Sequence, residues 1–209
     1  DLYQLHWPER NTNYFGARGY THDPDEEWKD NFAQILEDLN GFIKAGKIKN
    51  IGLSNEVPYG LSRYLEESRK GAPKMITVQN PYNLLNRKDE VGLTEIMHRE
   101  NVGQLTGKYL DGYPPKARVT LFPNYNRYHT DNGFEATRRY KAIADAHGLS
   151  LTQMALAFVN SRPFVTANII GATSVEQLKE NSGSIDVTLS EEVLKAINEV
   201  HEAIPNPAP

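Results

Sequence analysis

Three polar side chains stand at the ends of apolar strands in this sequence, and together they could supply hydrogen-bond donors and acceptors to one site. Asp1-Leu-Tyr-Gln-Leu-His-Trp-Pro8 reads as a strand that begins at the first residue and ends on His6 and Trp7, where Pro8 stops it. Side chains alternate along a strand, so Leu2, Gln4 and His6 share one face and Tyr3, Leu5 and Trp7 the other. In Ile48-Lys-Asn-Ile-Gly-Leu-Ser54, Ile51 and Leu53 turn toward covering helices, which leaves Asn50, Gly52 and Ser54 on the inner face. In Met75-Ile-Thr-Val-Gln79 the same rule turns Ile76 and Val78 outward and Thr77 and Gln79 inward. His6, Ser54 with Asn55, and Gln79 with Asn80 thus meet at one rim, the carboxyl ends of the strands. In parallel α/β folds that end carries chemistry, because the loops leaving it vary without disturbing the core. Each residue taken alone has a plainer reading, as a strand cap or a histidine satisfied by local hydrogen bonds.

The elements that would hold this rim alternate. The apolar positions Trp28, Phe32, Ile35, Leu36, Leu39, Phe42 and Ile43 mark an amphipathic helix starting near Glu26 and stopped by Gly46. Helices are expected at about 59 to 70, 89 to 100, 132 to 147, 152 to 160, 175 to 183 and 190 to 203, with a further strand at Thr166 to Ile170. Strand and helix in alternation is the pattern of parallel βα units. One strand is missing from it. Glu100-Asn-Val-Gly103 begins one, but Gln104-Leu-Thr-Gly-Lys-Tyr109 follows without an apolar run, so residues are expected to be lost between Gly103 and Gln104. The loops at 8 to 25 and 111 to 130 are long and rich in aromatic residues.

Composition narrows the function classes. With 209 residues, 39% hydrophobic and 24% charged, the chain is ordinary globular material. A net charge of -4 without a Lys/Arg run offers no electrostatic footprint for nucleic acid or an anionic membrane. No apolar run approaches the roughly 20 residues needed to span a bilayer. Cysteine is absent, which removes thiolate chemistry and disulfides and fits a reducing, cytoplasmic setting; the six histidines show no close pairing for a metal.

Anion binding has two candidate segments. Gly103-Gln-Leu-Thr-Gly107-Lys108 has three residues between its glycines where a P-loop needs four, and no G-x-G-x-x-G follows any strand. The turn from Gly171 opens onto a helix N-terminus whose free N–H groups favour phosphate. Ser174 and Gln177 equally match a capping box that needs no ligand, and both readings stand. Lys108 and Arg118 are the basic loop residues placed to assist an anion.

These segments together resemble the aldo-keto reductases. DLYQLHWP is similar to that family's strand with the catalytic histidine, IKNIGLSNE to its G-x-S-N segment and VQNPYNLLNR to its glutamine strand. LTGKYL and IIGATSVEQLKEN resemble its phosphate loop and its adenosine-end helix, all in the family's order. The resemblance implies a (β/α)8 TIM barrel, present here as its later strands and helices: a single barrel domain over residues 1–209, with the upstream half absent. It implies NADPH as cofactor and hydride transfer to an aldehyde or ketone, a small-molecule carbonyl substrate. By resemblance His6 is the catalytic histidine, Ser54, Asn55 and Gln79 hold the nicotinamide carboxamide, and Lys108 with Arg118 contacts the phosphates. Gly171, Thr173, Gln177, Glu180 and Asn181 would line the 2'-phosphate and adenosine end. The aspartate, tyrosine and lysine that complete the family's tetrad fall upstream of Asp1, and no tyrosine here replaces the general acid. The alternative implied by more distant relatives, the channel β subunits, is an NADP(H)-sensing regulatory subunit. Oligomeric state is not legible in the sequence.

Overall fold

A computed structural model describes residues 1–13, 17–107, 128 and 130–209. Five strands, β1 (Leu2–Leu5), β2 (Asn50–Ser54), β3 (Met75–Pro81), β4 (Gly103–Gly107) and β5 (Val165–Ile169), follow in chain order in one sheet. Helices fill the connections: α1 (Phe32–Lys44), α2 (Pro58–Arg69), α3 (Leu93–Glu100), α4 (Asp131–Ala146), α5 (Leu151–Asn160), α6 (Val175–Gly183) and α7 (Glu191–Ala203). The described residues divide into two compact units, one within 1–80 and 89–105 and the other within 81–88 and 106–209.

In the first unit β1, β2 and β3 are parallel, with Gln4 opposite Gly52, Leu5 opposite Leu53, and Ser54 opposite Gln79. Its core joins Phe32, Leu36 and Leu39 of α1 to Leu61, Tyr64 and Leu65 of α2, Leu93 and Met97 of α3, and the strand residues Ile51, Leu53, Met75 and Val78. The helix α1 ends where Gly46 takes φ 69: Gly46 N–H donates to Ile43 O at 2.9 Å and Lys47 N–H to Phe42 O at 3.0 Å. That paired closure is a Schellman motif, which satisfies carbonyls the helix leaves open.

In the second unit Phe158 and Met154 of α5 pack with Tyr140 of α4, Val193 and Ile197 of α7, and Tyr82. Thr130, Ser150, Ser174 and Ser190 each accept the N–H three residues on, so α4, α5, α6 and α7 all begin on side-chain caps. Tyr140, almost fully buried, donates its hydroxyl to Leu84 O at 3.0 Å.

Four elements differ from the sequence pattern. The first helix starts at Phe32, after Asn31, and not near Glu26. Trp28, which has the right spacing for the apolar stripe, stands outside it, 43% exposed and edge-on to Tyr59 at 6.2 Å. In β3 the ladder shifts by one residue between the partners of Ile51 and Leu53, so Met75 and Val78 both face the helices and Ile76 is left 37% exposed. Finally, β4 occupies 103–107 although those residues have no apolar alternation. Polar contacts hold it instead: Gln104 Nε2 donates to Asp89 Oδ2 at 2.6 Å, and Thr106 Oγ1 donates to Tyr82 O at 2.9 Å. The helix expected at 89 to 100 breaks at Gly92 into a 3-10 turn, Lys88–Val91, and α3.

Candidate active site

The inner face predicted by strand alternation is present in the first unit. A Cβ added to Gly52 would lie 2.2 Å from Thr77 Oγ1 and 3.5 Å from Gln4 Cγ, so Gln4, Gly52 and Thr77 share that face. Thr77 Oγ1 is buried there and makes no hydrogen bond among the described residues. Gln4 Nε2 reaches across to Leu53 O at 3.3 Å.

At the carboxyl ends the strands are stitched together by the residues expected at the rim. Ser54 Oγ donates to Gln79 O at 3.0 Å, and Asn55 N–H donates to the same carbonyl at 3.0 Å. The Asn55 side-chain amide donates to His6 O at 2.9 Å and to Ser54 Oγ at 3.1 Å. Asn55 has φ 55, the left-handed region that asparagine tolerates better than most residues. This turn swings the amide back across β1 instead of onward into α2. His6 is exposed and its ring lies 5.1 Å from that of Trp7. Beside it is a pocket of about 170 Å³ whose lining includes Trp7, Arg10, Trp28, Phe32, Glu56 and Tyr64. Burial first, and the Glu56 carboxylate second, push the Tyr64 phenol well above its ordinary range.

Behind the rim Asn80, expected there beside Gln79, is joined to two residues that sequence reading did not single out, Glu56 and Asp89. Asn80 Oδ1 accepts from Glu56 N–H at 3.1 Å, and Asn80 Nδ2 donates to Glu56 O at 2.8 Å and Asp89 Oδ1 at 3.2 Å. Glu56, 3% exposed, pairs with Arg10. Arg10 and Glu56 carried no local signal, since their pairing spans 46 residues of chain.

In the second unit the turn after β5 gathers Gly171, Thr173, Gln177 and Asn181. Gln177 Oε1 accepts from Thr173 N–H at 2.8 Å and from Thr173 Oγ1 at 2.9 Å, while Ser174 Oγ caps Gln177 N–H at 3.2 Å. Asn181 Nδ2 donates to Gly171 O at 3.1 Å, and Glu180 accepts from Ser150 Oγ at 2.6 Å. The capping geometry is therefore formed, and Glu180 is turned toward the start of α5. Lys108 and Arg118 lie outside the described residues. Among the described residues no group of His, Asp and Glu is arranged to hold a metal, and no single helix is long and apolar enough to cross a membrane.

A model of the aldo/keto reductase family matches residues 1–202. The chain belongs to that family. It is 45% identical to Protein tas of Escherichia coli over its whole length and spans 64% of that relative. It is 35% identical to an aldo-keto reductase of Babesia bovis, over 87% of this chain and 72% of the relative. An L-glyceraldehyde 3-phosphate reductase of Escherichia coli is 29% identical over 86% of this chain and 56% of its own. A solved structure of a thermostable aldo-keto reductase with the inhibitor epalrestat superposes with TM-score 0.66 at 24% identity, over 96% of this chain and 59% of that one. That likeness concerns the fold: the sheet and helices of this aldo/keto reductase chain are part of a (β/α)8 barrel, with parallel pairing shown directly for β1, β2 and β3.

Proposed function

We propose that these residues serve an NADPH-dependent oxidoreductase that reduces aldehydes or ketones to alcohols. The observation that carries this reading is the stitched rim, in which one asparagine amide joins the histidine strand to the Ser54–Gln79 pair. A nicotinamide carboxamide needs a donor and an acceptor facing it. Gln79 is half-buried two residues before the end of β3, and its side-chain amide makes no hydrogen bond to a described residue, so both are on offer. Ser54 and Asn55 complete the cradle, the Ser54 hydroxyl and the Asn55 N–H both fixed on Gln79 O. When bound, the reduced cofactor supplies the hydride. His6 orients the carbonyl oxygen and stabilises the charge that grows on it. In the second unit Gly171, Thr173, Gln177, Glu180 and Asn181 take the adenosine end, and Lys108 with Arg118 takes the phosphates. The aromatic loops suit an apolar or aromatic carbonyl substrate.

We also propose that the barrel is interrupted between Gly103 and Gln104. Supporting this, the match to Protein tas extends over 226 positions where this chain has 209 residues. Sequencing the transcript across the codons for these two residues tests it, and an uninterrupted reading frame as given would refute it.

The test of function uses the complete protein with NADPH and a panel of aldehydes and ketones. Cofactor oxidation dependent on the carbonyl is expected, and its loss in His6→Ala with NADPH binding intact. NADPH binding without any turnover would overturn the assignment. Titrating NADPH and NADH into wild type and Lys108→Ala tests the cofactor preference; equal affinities throughout would refute the phosphate role of Lys108.

A further inference from the structure

Four residues beyond His6, Arg10 reaches Glu56, the residue directly after Asn55. Arg10 Nη2 lies 2.5 Å from Oε1 and Nη1 3.3 Å from Oε2, a two-pronged pairing that a guanidinium makes and an ammonium does not. The two side chains are 11% and 3% exposed, so the pair is out of water. The guanidinium carbon stands 5.3 Å from the centre of the Tyr59 ring and 5.8 Å from that of Phe32. Glu56 is fixed from its other sides too. Its carboxylate accepts from Val57 N–H at 2.8 Å, and both of its backbone polar groups are held by Asn80. Even α2 makes room for it, since any Cβ at Gly60 would fall 2.3 Å from the carboxyl carbon.

Glu56 is therefore the immobile partner, and what the pair positions is the segment carrying Arg10. That segment begins at His6, whose carbonyl is otherwise held by the Asn55 amide. The far end of the same loop is tied differently. Arg63 Nη2 donates to both oxygens of Asp30 at 3.0 Å, but this pair is 20% and 55% exposed and so is screened by water and salt. The strong, dry restraint is thus on the histidine side.

We propose that Arg10 and Glu56 are positioning residues that hold the segment behind His6 at a fixed spacing from the Ser54–Asn55 cradle. The role rests on the reductase reading above. A buried ion pair is a poor source of stability, because desolvation offsets the attraction, and two apolar side chains of similar size often serve as well. They cannot supply the two-pronged registration. Stability and positioning therefore separate in a double variant.

The experiment compares the complete wild-type protein with Arg10→Met, Arg10→Lys and the double variant Arg10→Met with Glu56→Met. Arg10→Met strands a buried carboxylate and lowers the melting temperature, and the double variant restores it to within a few degrees. In both, kcat for carbonyl reduction is expected to fall at least tenfold, while the NADPH dissociation constant stays within threefold. Arg10→Lys is expected to lie between. Amide exchange over residues 7 to 13 quickens in the double variant despite its recovered melting temperature. A double variant with wild-type kcat and wild-type exchange would overturn the positioning role and leave the reductase reading intact. A wild-type protein that binds NADPH and reduces none of the carbonyls would overturn the reductase reading and this role with it.

Discussion

Replacing Gly60 by alanine probes the buried carboxylate with one added methyl group. The new Cβ would lie 2.3 Å from the Glu56 carboxyl carbon and 2.4 Å from each oxygen, well inside contact distance. The carboxylate cannot retreat while keeping both prongs of Arg10 and the Val57 N–H. Alanine is the better helix former, which favours the variant by up to about 1 kcal/mol. Against that, pushing Glu56 off Arg10 leaves a buried charge without its partner, a loss of about 3–5 kcal/mol. The net is a destabilisation of about 2–4 kcal/mol, or roughly 5–15 °C in melting temperature for a chain of this size. Gly41 in α1 supplies the control, because its added Cβ meets nothing within 4 Å. Gly41→Ala is expected to raise stability by up to about 1 kcal/mol. Thermal melts followed by far-ultraviolet circular dichroism measure both. If Gly60→Ala melts at or above wild type, the tight packing of Glu56 under α2 is refuted. If Glu56→Ala in the same background fails to reduce the cost of Gly60→Ala, the clash is not with that side chain.

Burial of Tyr140 pushes its phenol up from 10.0 to about 12, while the unfolded chain titrates at the ordinary value. The unfolded state then loses a proton first as pH rises, so the contribution of Tyr140 is complete below pH 10 and lost between pH 10 and about 12. Urea unfolding across that range should show a shallower decline for Tyr140→Phe than for wild type. At neutral pH the same variant should lose about 1–3 kcal/mol, because Leu84 O is left without its donor. At position 55 the left-handed backbone separates two replacements: Asn55→Gly keeps the conformation, whereas Asn55→Ala adds strain of about 1–2 kcal/mol. Both remove the amide that holds His6 O, so equal loss of NADPH affinity with unequal melting temperatures is expected; equal melting temperatures would refute the strain.

How much of this was legible in the sequence depended on the range of the forces involved. Alternation along β1 and β2 put Gln4 and Gly52 on one face correctly, because period two is a local property of the chain. The cap at Ser174 and the stop at Gly46 were equally local. Trp28 obeyed the helical spacing and still lies outside α1, since its ring packs on Tyr59 from the loop. The ladder shift in β3 was invisible because Ile76 and Val78 have the spacing of a regular strand, and only the pairing with β2 reveals Met75 in the place predicted for Ile76. Residues 103–107 escaped notice as a strand because their buried side chains, Gln104 and Thr106, are polar. At the site, His6, Ser54, Asn55 and Gln79 were found by position and family likeness. Arg10 and Glu56 were not, because a buried pair spanning 46 residues leaves no mark on local pattern.

The empty place at Gly52 has a meaning for the protein's relatives. The volume a side chain would take there is already filled from the neighbouring strand by Thr77, so the two positions draw on one allotment of space. Across lineages they should drift together: a larger residue at 52 is admissible only where 77 has shrunk, and a sequence that enlarges both should have moved its strands apart.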